Sequence, residues 1–202
     1  MKLNAYEKMM VNNPVRARMV ERNLRTLRRW LPEHRFDEVL EIGCGFGSGV
    51  RAIDRTLHPK SITAFDLDED MVDLARKRTA KAEARTELLV ADGEHMPFDD
   101  GRFDLAVEMT IFHHIPDWRA AIRETARCLR PGGVFYFEDL TRPFFYESGP
   151  ISWVMLNYTD HPWDTIPDRD AFVAAMQQSG LTVLRLRDKF VPGWLDGVAV
   201  KS

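Results

Sequence analysis

Residues 39–49 read Val-Leu-Glu-Ile-Gly-Cys-Gly-Phe-Gly-Ser-Gly, an apolar run followed by four glycines. Glycines at this density let backbone N–H groups approach a ligand more closely than side chains allow. Gly43-x-Gly45-x-Gly47 is not followed by the Lys-Ser/Thr of a triphosphate-binding loop, and Ser48 breaks the Gly-x-Gly-x-x-Gly spacing of a dinucleotide site. Glu41 stands just ahead of the glycines, where a carboxylate repels a pyrophosphate and attracts an ammonium or sulfonium cation. Asp66 closes the next apolar run. An acid there takes both hydroxyls of a ribose, each charge-assisted bond contributing roughly 1.5–3 kcal/mol. A ribose, a positive end and no phosphate describe S-adenosylmethionine better than a dinucleotide.

Methyl transfer from a sulfonium is an in-line displacement with an excellent leaving group. Positioning the nucleophile is the main task, with effective molarities of roughly 10⁵–10⁸ M available from it. A base is needed only where the nucleophile must lose a proton. His113 and His114, in Ile-Phe-His-His-Ile-Pro-Asp, are the base candidates, and they are equally read as a common feature of the loop before the next helix. Tyr146, Trp153, Tyr158, His161 and Trp163 fall in an aromatic stretch that suits an apolar or aromatic substrate, with Tyr146, Tyr158 and His161 as substrate-side candidates. The same aromatics also serve to pack that stretch onto the body. No metal-ligand spacing is evident: an Asp…Asp-Asn magnesium set cannot be placed, and Glu138-Asp139 is too little. No metal is expected.

These residues need elements to hold them. Residues 14–31 carry Val20, Leu24, Leu27 and Leu31 at helical spacing after Pro14. Strands are expected at 38–42, 61–67, 86–92, 103–109 and 134–140, with helices at 47–57, 69–82 and 118–130 between them. A helix at 169–180 and strands at 181–188 and 193–202 complete the chain. Asp117 is expected to cap the helix that starts at Trp118. Strand–helix alternation implies right-handed crossovers and a parallel sheet covered on both faces. The last two strands are joined by too short a link for a crossover, so they must pair antiparallel. The fold class is therefore α/β and Rossmann-like: a seven-stranded, mostly parallel sheet with an antiparallel last strand and helices on both faces. Residues 1–36 form an N-terminal helical cap and 37–202 the main domain. Residues 141–167 read as a long irregular insert on the substrate side.

With these elements placed, "VLEIGCGFGSG", "AFDLDEDMVDLAR", "VADGEHMPFDDGRFDLAVEMTIFHHIPD" and "CLRPGGVFYFED" resemble the four ordered signature blocks of class I S-adenosylmethionine-dependent methyltransferases. They are most similar to the small-molecule branch that includes the ubiquinone and menaquinone C-methyltransferases. The resemblance covers about residues 37–140. It implies that Gly43, Gly45 and Gly47, with Cys44 between them as a packing residue, pass close to the methionine part of the cofactor. It implies that Glu41 orients the amino group, Asp66 holds the ribose and Leu67 lies beside the adenine. Asp92 accepts from the adenine amine, with Gly93 and Glu94 beside it. Tyr6 lies in a segment that in this family often folds over the cofactor. Glu108 departs from the family's usual small or polar residue and faces either the methionine ammonium or the substrate; the alternative is a strand-end carboxylate serving structure.

Composition narrows the partners. The net charge is −3, so the protein as a whole is not built to coat nucleic acid. The Asn/Asp-Pro-Pro-Tyr/Phe and Pro-Cys motifs of nucleic-acid methylation are missing, and no nucleic-acid partner is expected. Residues 1–36 hold nine Lys/Arg against three acids, +6, which leaves the remainder at −9. That basic helix either lies on an anionic membrane, acting on a lipid, or packs its apolar stripe on the domain. Two cysteines without a Cys-x-x-Cys pair, no apolar leader and no run near ~20 apolar residues lead to a cytoplasmic expectation, with peripheral membrane contact through 14–31 as the variant. A non-catalytic cofactor-binding subunit is the rival to an enzyme. The acceptor atom and the oligomeric state are left open.

Overall fold

The computed structural model describes residues 14–202. Its elements run α1 (Pro14–Trp30), β1 (Glu38–Ile42), α2 (Ser48–Leu57), β2 (Ser61–Asp66), α3 (Glu69–Thr79), β3 (Arg85–Val90) and β4 (Phe103–Met109). A 3-10 turn (Phe112–His114) follows, then α4 (Trp118–Cys128), β5 (Leu129–Leu140), α5 (Arg142–Glu147), α6 (Pro150–Tyr158), α7 (Arg169–Gln178), β6 (Leu181–Asp188) and β7 (Trp194–Lys201).

The seven strands form one sheet in the order β3-β2-β1-β4-β5-β7-β6. The first five are parallel, and β7 runs antiparallel to both of its neighbours. The expected short return between β6 and β7 accounts for the one reversed strand. Period-2 alternation distributes side chains to two cores. Leu40, Ile42, Phe135 and Phe137 face the layer holding Trp118 and Phe172. Val39, Leu105, Val107 and Tyr136 face the layer holding α2 and α1.

Helix α1 uses its apolar stripe internally. Val20, Leu24 and Leu27 are buried with Val50, Ile53 and Leu57 of α2, which is the packing alternative read from the sequence. Three helices start on an aspartate whose side chain accepts a backbone N–H: Asp68 for α3, Asp117 for α4 as expected, and Asp168 for α7.

Two expectations are corrected. Strand β5 begins at Leu129, which pairs with Phe103, and not at 134; the Pro131–Gly133 stretch is carried within the strand at a register irregularity between Phe103 and Leu105. The 141–167 segment is not irregular throughout, because it contains α5 and α6. Helix α5 is six residues long, and α6 is apolar on nearly every side, so neither presents a 3.6-residue stripe. A third small core of Leu140, Phe144, Phe145, Met155, Ile166 and Val191 fastens this segment to the sheet.

Asp104 ties the amino end of the central strands. Its Oδ2 accepts from the N–H groups of Asp37 (2.7 Å) and Glu38 (2.9 Å), and Oδ1 pairs with Arg130 at 2.6 Å. Asp104→Ala leaves two N–H groups without their acceptor, at a cost of roughly 1–3 kcal/mol. In a domain of this size each kcal/mol lowers the melting temperature by about 2–4 °C. Because Asp104 lies at the opposite edge from the glycine loop, calorimetry should show a lowered Tm with cofactor affinity unchanged.

Candidate functional site

The parallel strands deliver their carboxyl ends to one edge. Ile42 pairs with Phe65 on one side and Glu108 on the other, and Met109 pairs with Glu138. Glu41, Asp66, Glu108 and Asp139 therefore gather where an open α/β sheet takes its ligand.

The glycine loop is shaped around two acids. Gly43, Gly45 and Gly47 all have positive φ (72°, 47° and 78°), a conformation that side chains disfavour. The Gly45 N–H donates to Asp66 Oδ2 at 2.9 Å, and the Asp68 N–H donates to Oδ1 at 3.0 Å. The Asp66 carboxylate is thus aimed by two backbone donors and borders the cleft. Burial raises its pKa, and those two N–H groups pull it back. Glu41 is buried, and its Oε2 has no hydrogen-bond partner among the described residues. Burial first and the Asp66 charge second push its pKa well above the usual carboxylate range. A buried acid held in this way is a strong acceptor for an arriving cation.

Two adjoining cavities flank the loop and share Gly43, Asp66, Ile111 and His114. One, of about 220 Å³, is bordered by Leu67, Asp92, Gly93 and Glu94. The other, of about 70 Å³, is bordered by Arg16, Glu41, Cys44, Gly45 and Gly49. Asp92 is exposed, and its Oδ1 accepts from the Glu94 N–H at 3.0 Å. The Glu94 side chain accepts from the Asp117 N–H at 3.0 Å, linking this wall to the start of α4. Cys44 is buried and its thiol pKa is driven up mainly by burial, an environment that suits packing and disfavours the thiolate.

Glu108 is fully buried and borders neither cavity; its Oε1 accepts from the Ile111 N–H at 2.6 Å. Burial and then the Asp139 charge raise its pKa well above normal. The geometry matches the structural alternative, a carboxyl that holds the turn after β4. That turn is strained: Thr110, a β-branched residue, sits at φ 64°. Arg16 of α1 secures it, donating to Met109 O at 2.9 Å and to Thr110 Oγ1.

His113, His114 and His161 come together, all buried. Ring centroids are 4.3 Å apart for His113–His114 and 4.4 Å for His114–His161. His113 Nδ1 and its backbone N–H both bond to the Asp139 carboxylate. His114 borders both cavities, and burial, with His113 next, lowers its pKa well below normal. Burial likewise pushes His161 down to about 3. Of the aromatic candidates, Trp163 packs on His161 at 4.8 Å. Tyr146 and Tyr158 are exposed on the outer side of the insert and border neither cavity. Tyr6 lies outside the described residues.

Arg16, Gly49 and Ile111 border the cavities and were not singled out in the sequence, and Asp139, which holds His113, was weighed there only with Glu138 as a metal ligand. Arg16 is one arginine among many on its helix, and Gly49 was read only as the end of the glycine run.

Residues 40–137 match a family described as the methyltransferase domain. Phthiotriol/phenolphthiotriol dimycocerosates methyltransferase of Mycobacterium tuberculosis is 39% identical over 103 residues, 51% of this chain and 37% of that protein. Fatty-acid O-methyltransferase of Mycolicibacterium smegmatis is 37% identical over 101 residues, 50% of this chain and 36% of that protein. The matched segment thus spans little more than a third of the length of these curated relatives. A SAM-dependent methyltransferase from Aquifex aeolicus shares the fold, with a TM-score of 0.73 at 17% identity over 98% of both chains.

Proposed function

We propose that this chain, whose residues 40–137 match the methyltransferase domain, transfers a methyl group from S-adenosylmethionine to a small apolar acceptor. The observation that carries the reading is the pairing of a buried carboxylate with one unpartnered oxygen, Glu41 Oε2, with a backbone-aimed one, Asp66, across a glycine loop. Their separation by the loop suits an amino-acid end and a ribose on one molecule. S-Adenosylmethionine, when bound, supplies a methyl group on a sulfonium that leaves without protonation.

The chain's own residues do the rest. Glu41 takes the ammonium, and Arg16, on the same cavity wall, suits the methionine carboxylate. Asp66 takes the ribose hydroxyls, while Leu67, Asp92, Gly93 and Glu94 border the adenine side. On the acceptor side, His114 borders both cavities and marks where the polar handle of the acceptor would lie. Phe145 and Trp163 surround His161 at 4.8 Å each and make that side apolar. The two relatives are named for lipid-like acceptors, which supports a long apolar chain beyond the polar handle.

Calorimetry with S-adenosylmethionine and S-adenosylhomocysteine is the direct test. Absence of binding by either at millimolar concentration defeats the reading. A pH signature should accompany binding. In the cofactor-free protein Glu41 holds a proton up to its raised pKa, and the arriving ammonium lowers that pKa, so binding releases the proton. Affinity should therefore rise with pH and level off once Glu41 is ionised in the free protein. Asp66, whose pKa is also raised, titrates in the same sense. Glu41→Gln isolates the first contribution: it should weaken binding and flatten the dependence on buffer ionisation enthalpy.

A membrane-borne lipid acceptor is the second reading, and it moves from α1 to α6. The apolar stripe of α1 is buried, whereas Ile151, Trp153, Leu156 and Tyr158 of α6 are exposed, Trp153 by 59%. Among the described residues no helix is long and apolar enough to cross a membrane.

A further inference from the structure

We propose that His113, His114 and His161 form a binding site for one divalent transition-metal ion, with zinc the best match. One nitrogen from each ring can be chosen so that all three lie within 4.8 Å of one another. A tetrahedral zinc with metal–nitrogen distances of about 2.0–2.1 Å sets its ligand nitrogens about 3.4 Å apart. The rings need only a small closure to reach it.

The hydrogen bonds around the cluster select the ligand atoms. Asp139 can only accept, so His113 must carry its proton on Nδ1 and present Nε2 as the lone-pair nitrogen. Thr159 Oγ1 donates to Met155 O at 2.6 Å and so accepts from His161 Nδ1, 3.0 Å away. That again leaves Nε2 as the lone-pair nitrogen. His114 Nδ1 is buried and meets no hydrogen-bonding partner among the described residues. The carboxylate behind His113 and the hydroxyl behind His161 form the kind of supporting shell that metal-bound histidines use to fix their tautomer. Lone pairs gathered without protons between them repel one another, and a cation removes that cost. The type of donor excludes the hard ions: three imidazoles select zinc and its neighbours over calcium or magnesium. His114 borders both cavities, so an ion can enter from the cleft and have an open position on the acceptor side.

Among the described residues, Asp92, Glu94 and His95 form the other cluster of suitable spacing, but it is solvent-facing and the Asp92 and Glu94 side chains already accept backbone N–H groups.

The experiment is titration of this 202-residue chain, stripped of metal, with zinc chloride alone, read by calorimetry and thermal shift. The visible spectrum of the cobalt(II)-loaded form reports tetrahedral geometry. One ion per chain is expected. His161→Gln should weaken binding by about 100-fold or more and abolish the thermal shift. Asp139→Asn, a positioning change, should weaken it by roughly 10–100-fold. His95→Ala should leave it unchanged. Should His161→Gln fail to fold, His114→Gln with Asp139→Asn carries the same test. The proposal is overturned if the protein takes up no zinc at millimolar concentration, if the histidine variants bind as tightly as the parent, or if His95→Ala removes the ion. None of these readings depends on S-adenosylmethionine binding.

Discussion

Asp66→Ala should lower the affinity for S-adenosylmethionine by at least about a hundredfold, measured by calorimetry at constant salt. Two charge-assisted hydrogen bonds to the ribose are lost at roughly 1.5–3 kcal/mol each, and one decade of affinity corresponds to about 1.4 kcal/mol. The change also removes the acceptor for the Gly45 and Asp68 N–H groups, which lie at 2.9 and 3.0 Å, so part of the loss reflects a loosened loop. Asp66→Asn separates the two contributions, because it keeps one oxygen for a backbone donor while losing the charge. A cofactor analogue lacking a ribose hydroxyl closes a double-mutant cycle. The analogue should cost the parent protein more than it costs Asp66→Asn, the mark of a direct contact. Equal costs would mean that Asp66 shapes the loop and does not touch the ribose, and an unchanged affinity for Asp66→Ala would mean that the ribose lies elsewhere.

Asp66 was readable from sequence because its position is local information. The second strand is buried on both faces, so it reads as a continuous apolar run, and the residue at its end is identified by counting. The same holds for Glu41 ahead of the glycines. The antiparallel β7 was readable because the link from β6 is too short for a crossover. Contacts made across the chain were not readable in this way. Tyr146, Tyr158 and His161 were equivalent in the sequence, three polar aromatics in one insert. Only His161 reaches His113 and His114, because the small core under α5 and α6 turns it inward and leaves the two tyrosines exposed. Helix α6 escaped recognition for a related reason: an all-round apolar helix has no periodic face to detect. Arg16 is chosen from its helix by the strained turn at Thr110, whose N–H bonds across to Glu138 O of β5 at 2.6 Å, a contact distant in sequence.

Gly49→Ala should abolish cofactor binding and lower stability, and Glu41→Ala in the same chain should restore stability without restoring binding. A Cβ built at Gly49 would lie 2.7 Å from Glu41 Cδ and 2.8 Å from Met109 Cε, and closer still to Glu41 Oε1. Glu41 is buried in a central strand and cannot swing into solvent, whereas the Met109 methyl is the end of a flexible, half-buried side chain that can yield. Overpacking of this kind costs roughly 1–3 kcal/mol, about 2–4 °C of Tm for each kcal/mol at this size. Gly49 has ordinary helical backbone at the start of α2 and is not among the positive-φ glycines. Alanine is therefore better than glycine for that helix by roughly 1 kcal/mol once the clash is gone. Glu41→Ala removes the clashing carboxyl together with a buried acid oxygen that has no hydrogen-bond partner among the described residues, so the double variant should melt higher than Gly49→Ala alone. It lacks the group that receives the ammonium, so S-adenosylmethionine should remain unbound. A double variant as unstable as Gly49→Ala would place the conflict on Met109 and not on Glu41. A Gly49→Ala protein that still binds the cofactor at parent affinity would remove Glu41 from the role of cation acceptor, because its carboxylate could not then occupy the position from which that role is argued.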